Sequence, residues 1–239
     1  MNNLVGGTIR YTINGSLPTA ASTPYTGAIA INSPTVIRAQ MFAANGAPVG
    51  DPYTKSYIIA NYDQTMPVIS IVTDWTHLDT LHANPKGRGK DWERPINMEY
   101  FAPGGQIQFN LNAGIRLHGN FSRLFSPKKS YRIYFRKDYG GPGKLEYPLF
   151  EDTAVIKFDK LVLRAGFQDS FQFRNIPDHG DRHHTAKYIG DQVVRNLHRD
   201  MGQPIAHGSW VLLYLNGQFW GLYNLTERID DEIPAILFR

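Results

Sequence analysis

The chain has 239 residues and carries 25 Lys and Arg against 21 Asp and Glu, a formal charge of +4, too small an excess to build a nucleic-acid-wide basic face. Its 42% hydrophobic and 13% aromatic content is that of a folded protein with room for one large or two small cores. The lack of cysteine excludes disulfides, thiolate metal sites and thiol nucleophiles, and no apolar run reaches the roughly 18 residues that span a bilayer.

In chain order, Thr8 to Ile13, Tyr25 to Ile31, Val36 to Phe42 and Lys55 to Ile59 read as short strands between turn-rich stretches such as Asn14-Gly15-Ser16, the pattern of a small β-sandwich. Tyr25 and Tyr53 could meet sugars, but packing within the small core is the expected role. Ala60 to Met66 is a polar connector, and the change in composition there divides the chain into segments 1–62 and 63–239. Val68 to Val72 is a strand. The loop His82 to Lys90, with its KGRGK run, lacks P-loop spacing and reads as solvated. Asn97 to Phe101 and Gln106 to Asn110 form a hairpin over Pro103-Gly104-Gly105.

The next segment is the most distinctive. From Gly114 to Lys144 there are eight Lys or Arg and one acid, Asp138, a local field suited to an anionic ligand. Alternation puts Lys129, Tyr131, Ile133 and Phe135 on one face of a strand and Lys128, Ser130, Arg132 and Tyr134 on the other. Lys129 is thus in line with apolar side chains and needs either an anionic partner or, as the commoner structural alternative, room to snorkel at the strand end.

Lys160 to Arg164 is an apolar strand, and Asp178 to His184, rich in His and Asp, reads as a polar loop because its spacing matches no metal site. Thr185 is placed to cap a helix through Met201, with Ile189, Val193 and Leu197 at i, i+4, i+8. Trp210 to Glu227 is a hairpin around Asn216-Gly217. In its second strand Glu227 shares a face with Phe219, Gly221, Tyr223 and Leu225, so a pairing with Lys129 would neutralise both. No Gly-x-Ser-x-Gly elbow occurs, and the adjacent Asp230 and Asp231 would point apart in a strand, which is poor geometry for glycoside hydrolysis.

Two resemblances follow from these motifs. IRYTINGSLPT, PYTGAIAI, TVIRAQMFAANG and TKSYII resemble the immunoglobulin-like module of chitobiases and β-hexosaminidases. GIRLHGNFSRLFSPKKSYRIYFRKDYG, LEYPLF, LVLRAGFQD, GDQVVRNLHRDMGQP and LYLNGQFWGLYNLTERIDD resemble the spore-coat-protein-H kinase-like family, CotH, over about Pro67 to Asp231. The implied fold is mainly β with α (α+β): a small Ig-like sandwich, then the amino-terminal part of an atypical protein-kinase-like domain. The implied activity is ATP-dependent phosphoryl transfer to a protein hydroxyl, with Mg or Mn.

Carried over residue by residue, the resemblance puts nucleotide binding on Lys128 and Lys129 of the KKS motif, with Arg123 and Arg132 beside them. The glutamate and aspartate of the family's E-x-I-D pattern fall on Glu227 and Asp230. It also implies a secreted or cell-surface bacterial protein acting on a protein or surface polymer, or alternatively a non-catalytic extracellular, carbohydrate-associated binding module. The family's metal-binding aspartates would lie beyond Arg239, so turnover is not expected of this polypeptide alone. The sheet, deprived of downstream partners, is expected to leave an apolar face open.

Overall fold

β-Branched and aromatic runs between Gly, Asn and Pro turns make the chain mostly strand. The computed structural model describes residues 7–59, 65–151, 153–172 and 183–228. The strands are β1 (Thr8–Thr12), β2 (Thr23–Pro24), β3 (Thr35–Phe42), β4 (Pro48–Tyr57), β5 (Val68–Val72), β6 (Arg94–Phe101), β7 (Ile107–His118), β8 (Ser130–Tyr134), β9 (Leu145–Glu146), β10 (Lys157–Phe158), β11 (Lys160–Arg164), β12 (Gly208–Leu215) and β13 (Gln218–Glu227). Among the described residues the α-helices are α1 (Trp75–Ala83), α2 (Phe121–Phe125) and α3 (Gly190–Asp200). The β-rich α+β expectation holds at this level.

β2-β1-β3-β4 form one antiparallel sheet, and β11-β13-β12-β5-β6-β7-β8 close into a barrel, with β12 and β5 its parallel pair. Closure removes the open sheet edge. Residues 1–80, 96–111 and 212–221 cluster into one compact unit and residues 81–95, 112–211 and 222–239 into another.

In the first unit, Tyr25 to Ile31 is not a strand. Its neighbour β2 pairs with β1 for two residues only, Pro24 with Arg10 and Thr23 with Tyr11. Conversely, the strand expected at Lys55 begins at Pro48. β4 is an edge strand, and its free backbone groups are met by side chains of β6 and β7. The Ser56 N–H donates to Glu99 Oε2 at 2.5 Å, and Asn110 Nδ2 donates to the Thr54 carbonyl at 2.7 Å and to Glu99 Oε1 at 3.1 Å. Glu99 is 0% exposed and is neutralised by Lys55 at 3.4 Å. Ser56 Oγ and Ser70 Oγ are 2.8 Å apart.

The Asn216-Gly217 hairpin is as expected: φ is 49° and 81°, the left-handed pair that a two-residue turn needs. Asn216 Oδ1 also accepts from the Thr73 N–H at 2.9 Å. Gly15 must be glycine, because a Cβ there would lie 2.4 Å from the Asn216 side chain and φ is +85°.

In the second unit, α3 begins at Gly190 rather than after Thr185, because Tyr188 has φ +64° and breaks the helical path. Its expected apolar stripe faces outward, with Ile189, Val193 and Leu197 exposed. The side toward β13 is polar instead: Asn224 Nδ2 donates to Gln192 Oε1 at 2.9 Å, and Arg195 Nη2 donates to Asn224 Oδ1 at 2.5 Å. Among the described residues, exposed apolar side chains therefore lie on α3 and also on strands, as Phe219 of β13 and Ile107 of β7 show.

Glu99→Leu strands the Ser56 N–H and the Lys55 ammonium. A loss of about 2–4 kcal/mol is expected in urea unfolding; a loss within about 0.5 kcal/mol, the scale of ordinary surface substitutions, would contradict the role given to Glu99.

Candidate functional site

β8 is bonded on both edges, to β7 and to β11. The register aligns Leu117, Tyr131, Leu163 and Leu225 across four strands, with Ile115, Ile133 and Leu161 in the adjacent row. All seven are buried and form the inward face. The alternate positions face out, and there Arg116 lies directly opposite Arg132 and His118 opposite Ser130. Like charges in directly opposed strand positions destabilise a sheet.

This pair is the centre of a cationic cluster. Arg132 Nη2 is 3.1 Å from His118 Nδ1. A guanidinium cannot accept, so Nδ1 is the acceptor and the ring proton is on Nε2. Burial, then Arg132, Arg228, Arg164 and Arg123, hold the His118 pKa down at about 3. Arg123, on α2, is only 4% exposed; its Nη1 donates to the Gly87 carbonyl at 2.7 Å. Its pKa is lowered by burial and by Arg88, Arg116 and Arg132. Arg116 Nη1 donates to the Gly89 carbonyl at 2.7 Å. The Nε atoms of Arg116, Arg123 and Arg132 are buried without a hydrogen-bond partner. Among the described residues, no carboxylate forms an ion pair with any of these three. A half-buried cationic cluster with unused donors is suited to an anion bearing several oxygens.

The two lysines of the KKS motif are used differently. Lys128 Nζ donates to the Leu222 carbonyl at 2.6 Å and to Tyr188 Oη at 2.5 Å, and lies 4.4 Å from the centroid of the Tyr223 ring. Burial pushes its pKa down to about 8. Lys129 Nζ donates to the Arg123 carbonyl at 2.8 Å, its pKa also lowered by burial. Lys129 therefore ties α2 to the start of β8.

The expected pairing of Lys129 with Glu227 does not form. Glu227 is opposite Leu161, which is opposite Ile133, so it is level with a residue four positions beyond Lys129, about 13 Å along the strand. Glu227 Oε2 instead accepts from the His207 N–H at 2.8 Å and from His207 Nδ1–H at 2.9 Å. Asp230 and Asp178 to Asp181 lie outside the described residues. Among the described residues no group of three or more His, Asp or Glu could hold a metal ion. The His82 to Lys90 loop is not simply solvated, since Arg123 and Arg116 clasp its carbonyls.

Of the cluster, Arg123 and Arg132 were legible in sequence, whereas Arg116 and His118 were not singled out. Their signal was the alternation in Ile115-Arg116-Leu117-His118, but its meaning depends on the cross-strand register.

A family model described as CotH kinase protein matches residues 115–235, half of the chain, and one described as chitobiase/beta-hexosaminidase C-terminal domain matches residues 2–54. No curated protein matches the chain. Among the described residues no helix is long and apolar enough to cross a membrane.

Because the folded His118 pKa is near 3 and the free value 6.5, the unfolded chain binds the proton first as pH falls. The His118 contribution is fully present above about pH 6.5 and is lost as pH falls from there through 3. His118→Gln is expected to flatten the dependence of unfolding free energy on pH between 6 and 4 by up to about 1.4 kcal/mol per pH unit. An unchanged slope would rule out a neutral, buried His118.

Proposed function

Because the chain belongs to the CotH kinase protein family, we propose that it is the phosphate-binding part of an ATP-dependent phosphotransferase, its nucleotide phosphates held on the outward face of β7 and β8. The observation that carries this reading is the opposed, half-buried Arg116–Arg132 pair beside buried Arg123, with three Nε–H donors unused. A triphosphate brings both the negative charge and the acceptor oxygens that this arrangement lacks. Lys128 and Lys129 serve it indirectly: the first is locked between Tyr188, Tyr223 and the Leu222 carbonyl, and the second holds the helix that carries Arg123.

ATP would supply the transferable phosphoryl group to a protein hydroxyl, and the described residues fit its phosphates. They do not fit the expected Mg or Mn, since no set of carboxylates converges among them, and no role in metal binding is given to them. Glu227, tied to His207, has a structural role at the end of β13.

A second reading is favoured by residues 7–59. Tyr53 is 65% and Tyr25 48% exposed, against the expectation that they pack in a core. Tyr53 and Tyr57 share a face of β4 by alternation. Such rings suit sugar contact, and this supports a carbohydrate-associated module of a secreted or surface protein. Tyr53→Ala with Tyr57→Ala should then abolish retention on insoluble chitin or cell-wall polysaccharide; unchanged retention, or none by the unaltered chain, would remove the reading.

For the main reading, titration calorimetry with ATP and with tripolyphosphate, with and without Mg or Mn, is the direct test. Arg132→Leu should weaken binding about tenfold or more, yet raise the unfolding temperature without ligand, because it removes a like-charge pair. Glu227→Gln should leave affinity nearly unchanged. Affinity indifferent to Arg132→Leu, or no binding at all, would end the proposal.

A further inference from the structure

Residues 83–88 and Trp92, outside the stretches matched by either family model, line a cavity of about 460 Å³ that is open to solvent. That is within the usual range for small-molecule sites, roughly 300–1,000 Å³. Ala83, Pro85 and Trp92 give it an apolar side, and Lys86 and Arg88 a cationic one; no acidic side chain lines it.

The loop is held in shape from several directions. The Gly87 N–H donates to the Asn84 carbonyl at 3.0 Å, the Gly87 carbonyl accepts from Arg123 at 2.7 Å, and the Gly89 carbonyl accepts from Arg116 at 2.7 Å. Arg88 Nη2 donates to Asn120 Oδ1 at 2.8 Å. Gly87 is needed because a Cβ there would lie 2.3 Å from the Trp92 ring. Just beyond, Glu93 is fixed by Arg136 at 3.1 Å and by the Tyr139 hydroxyl at 2.8 Å. Preset walls lower the ordering cost of binding.

The charge points to the occupant. Lys86 and Arg88 form no ion pair among the described residues. Arg123, 4% exposed and carrying a buried Nε without a partner, is bonded to the loop at Gly87. A bare inorganic anion would satisfy the cations and leave the apolar side unused. An uncharged ring would do the reverse.

We propose that this cavity binds a small organic phosphate, its dianion on Lys86 and Arg88 and its carbon body against Pro85 and Trp92. The site uses side chains other than the Arg116–Arg132 pair, so the proposal does not rest on the phosphotransferase reading.

Phenyl phosphate, inorganic phosphate and benzyl alcohol are suitable probes, titrated into the full chain by calorimetry with tryptophan emission followed in parallel. Phenyl phosphate should bind several-fold more tightly than inorganic phosphate, and benzyl alcohol should not bind. The exposed double variant Lys86→Gln with Arg88→Gln should weaken phenyl phosphate about tenfold or more, and Trp92→Phe should remove most of the emission change. Arg132→Leu should leave phenyl phosphate affinity within about twofold while losing tripolyphosphate. Equal affinity for phenyl and inorganic phosphate, indifference to the double variant, or no binding at millimolar concentration would overturn the proposal. If phenyl phosphate were lost in Arg132→Leu but retained in the double variant, this site would fall and the strand-face reading would stand; the opposite pattern, with tripolyphosphate unaffected by Arg132→Leu, would sink only the latter.

Discussion

The register of β8 is the constraint from which the rest of the second unit follows. Hydrogen bonded to β7 on one edge and β11 on the other, the strand has no freedom to slip, and its period of two sends Tyr131 and Ile133 inward and Arg132 outward. A shift of one residue would exchange these faces and bring a guanidinium into a row occupied by Leu117, Leu163 and Leu225. The same fixed register sets Arg116 against Arg132. A sheet stable enough to hold two like charges opposite one another must draw that stability from its apolar rows, since the pair itself is unfavourable.

Buried charge is treated in two different ways. In the first, Glu99 is fully buried, yet it accepts from the Ser56 N–H and from Asn110 and is neutralised by Lys55; its polar groups are accounted for, and it covers an edge strand that would otherwise be open to pairing. In the second, Arg116, Arg123 and Arg132 retain buried donors without acceptors. Fully satisfied polar networks rigidify a fold, whereas unsatisfied ones lower its stability and are tolerated where function needs them.

The KKS lysines show why motif and role can diverge. By alternation Lys129 belongs to the apolar face, which correctly marks it as short of solvent, but the partner it finds is the carbonyl of Arg123, six residues away in sequence. Lys128, on the other face, is enclosed by Tyr188 and Tyr223. Among the described residues neither forms an ion pair with a carboxylate, as a strand lysine in a kinase-like arrangement would. Their hydrogen bonds tie the Leu222 carbonyl of β13 and the Arg123 carbonyl of α2 to the start of β8. Likewise, the i, i+4, i+8 repeat of Ile189, Val193 and Leu197 announced a helix, but the side that packs on β13 is the one bearing Gln192 and Arg195; periodicity reports amphipathicity and not which side is covered.

By itself the sequence determined the elements whose signals are local. The Asn216-Gly217 hairpin, the β5 and β11 strands, the alternation of β8 and the concentration of cations from Gly114 to Lys144 are all set by residues within a few positions of one another. The family resemblance was legible for the same reason, because its motifs are contiguous. Tertiary structure alone decided the closure of the barrel, the opposition of Arg116 and Arg132, the separation of Glu227 from Lys129 and the capture of the 83–92 loop by Arg116 and Arg123. Each of these depends on hydrogen-bond register or on contact between residues far apart in the chain, and a strand's period of two fixes which face a side chain takes without fixing what lies across from it.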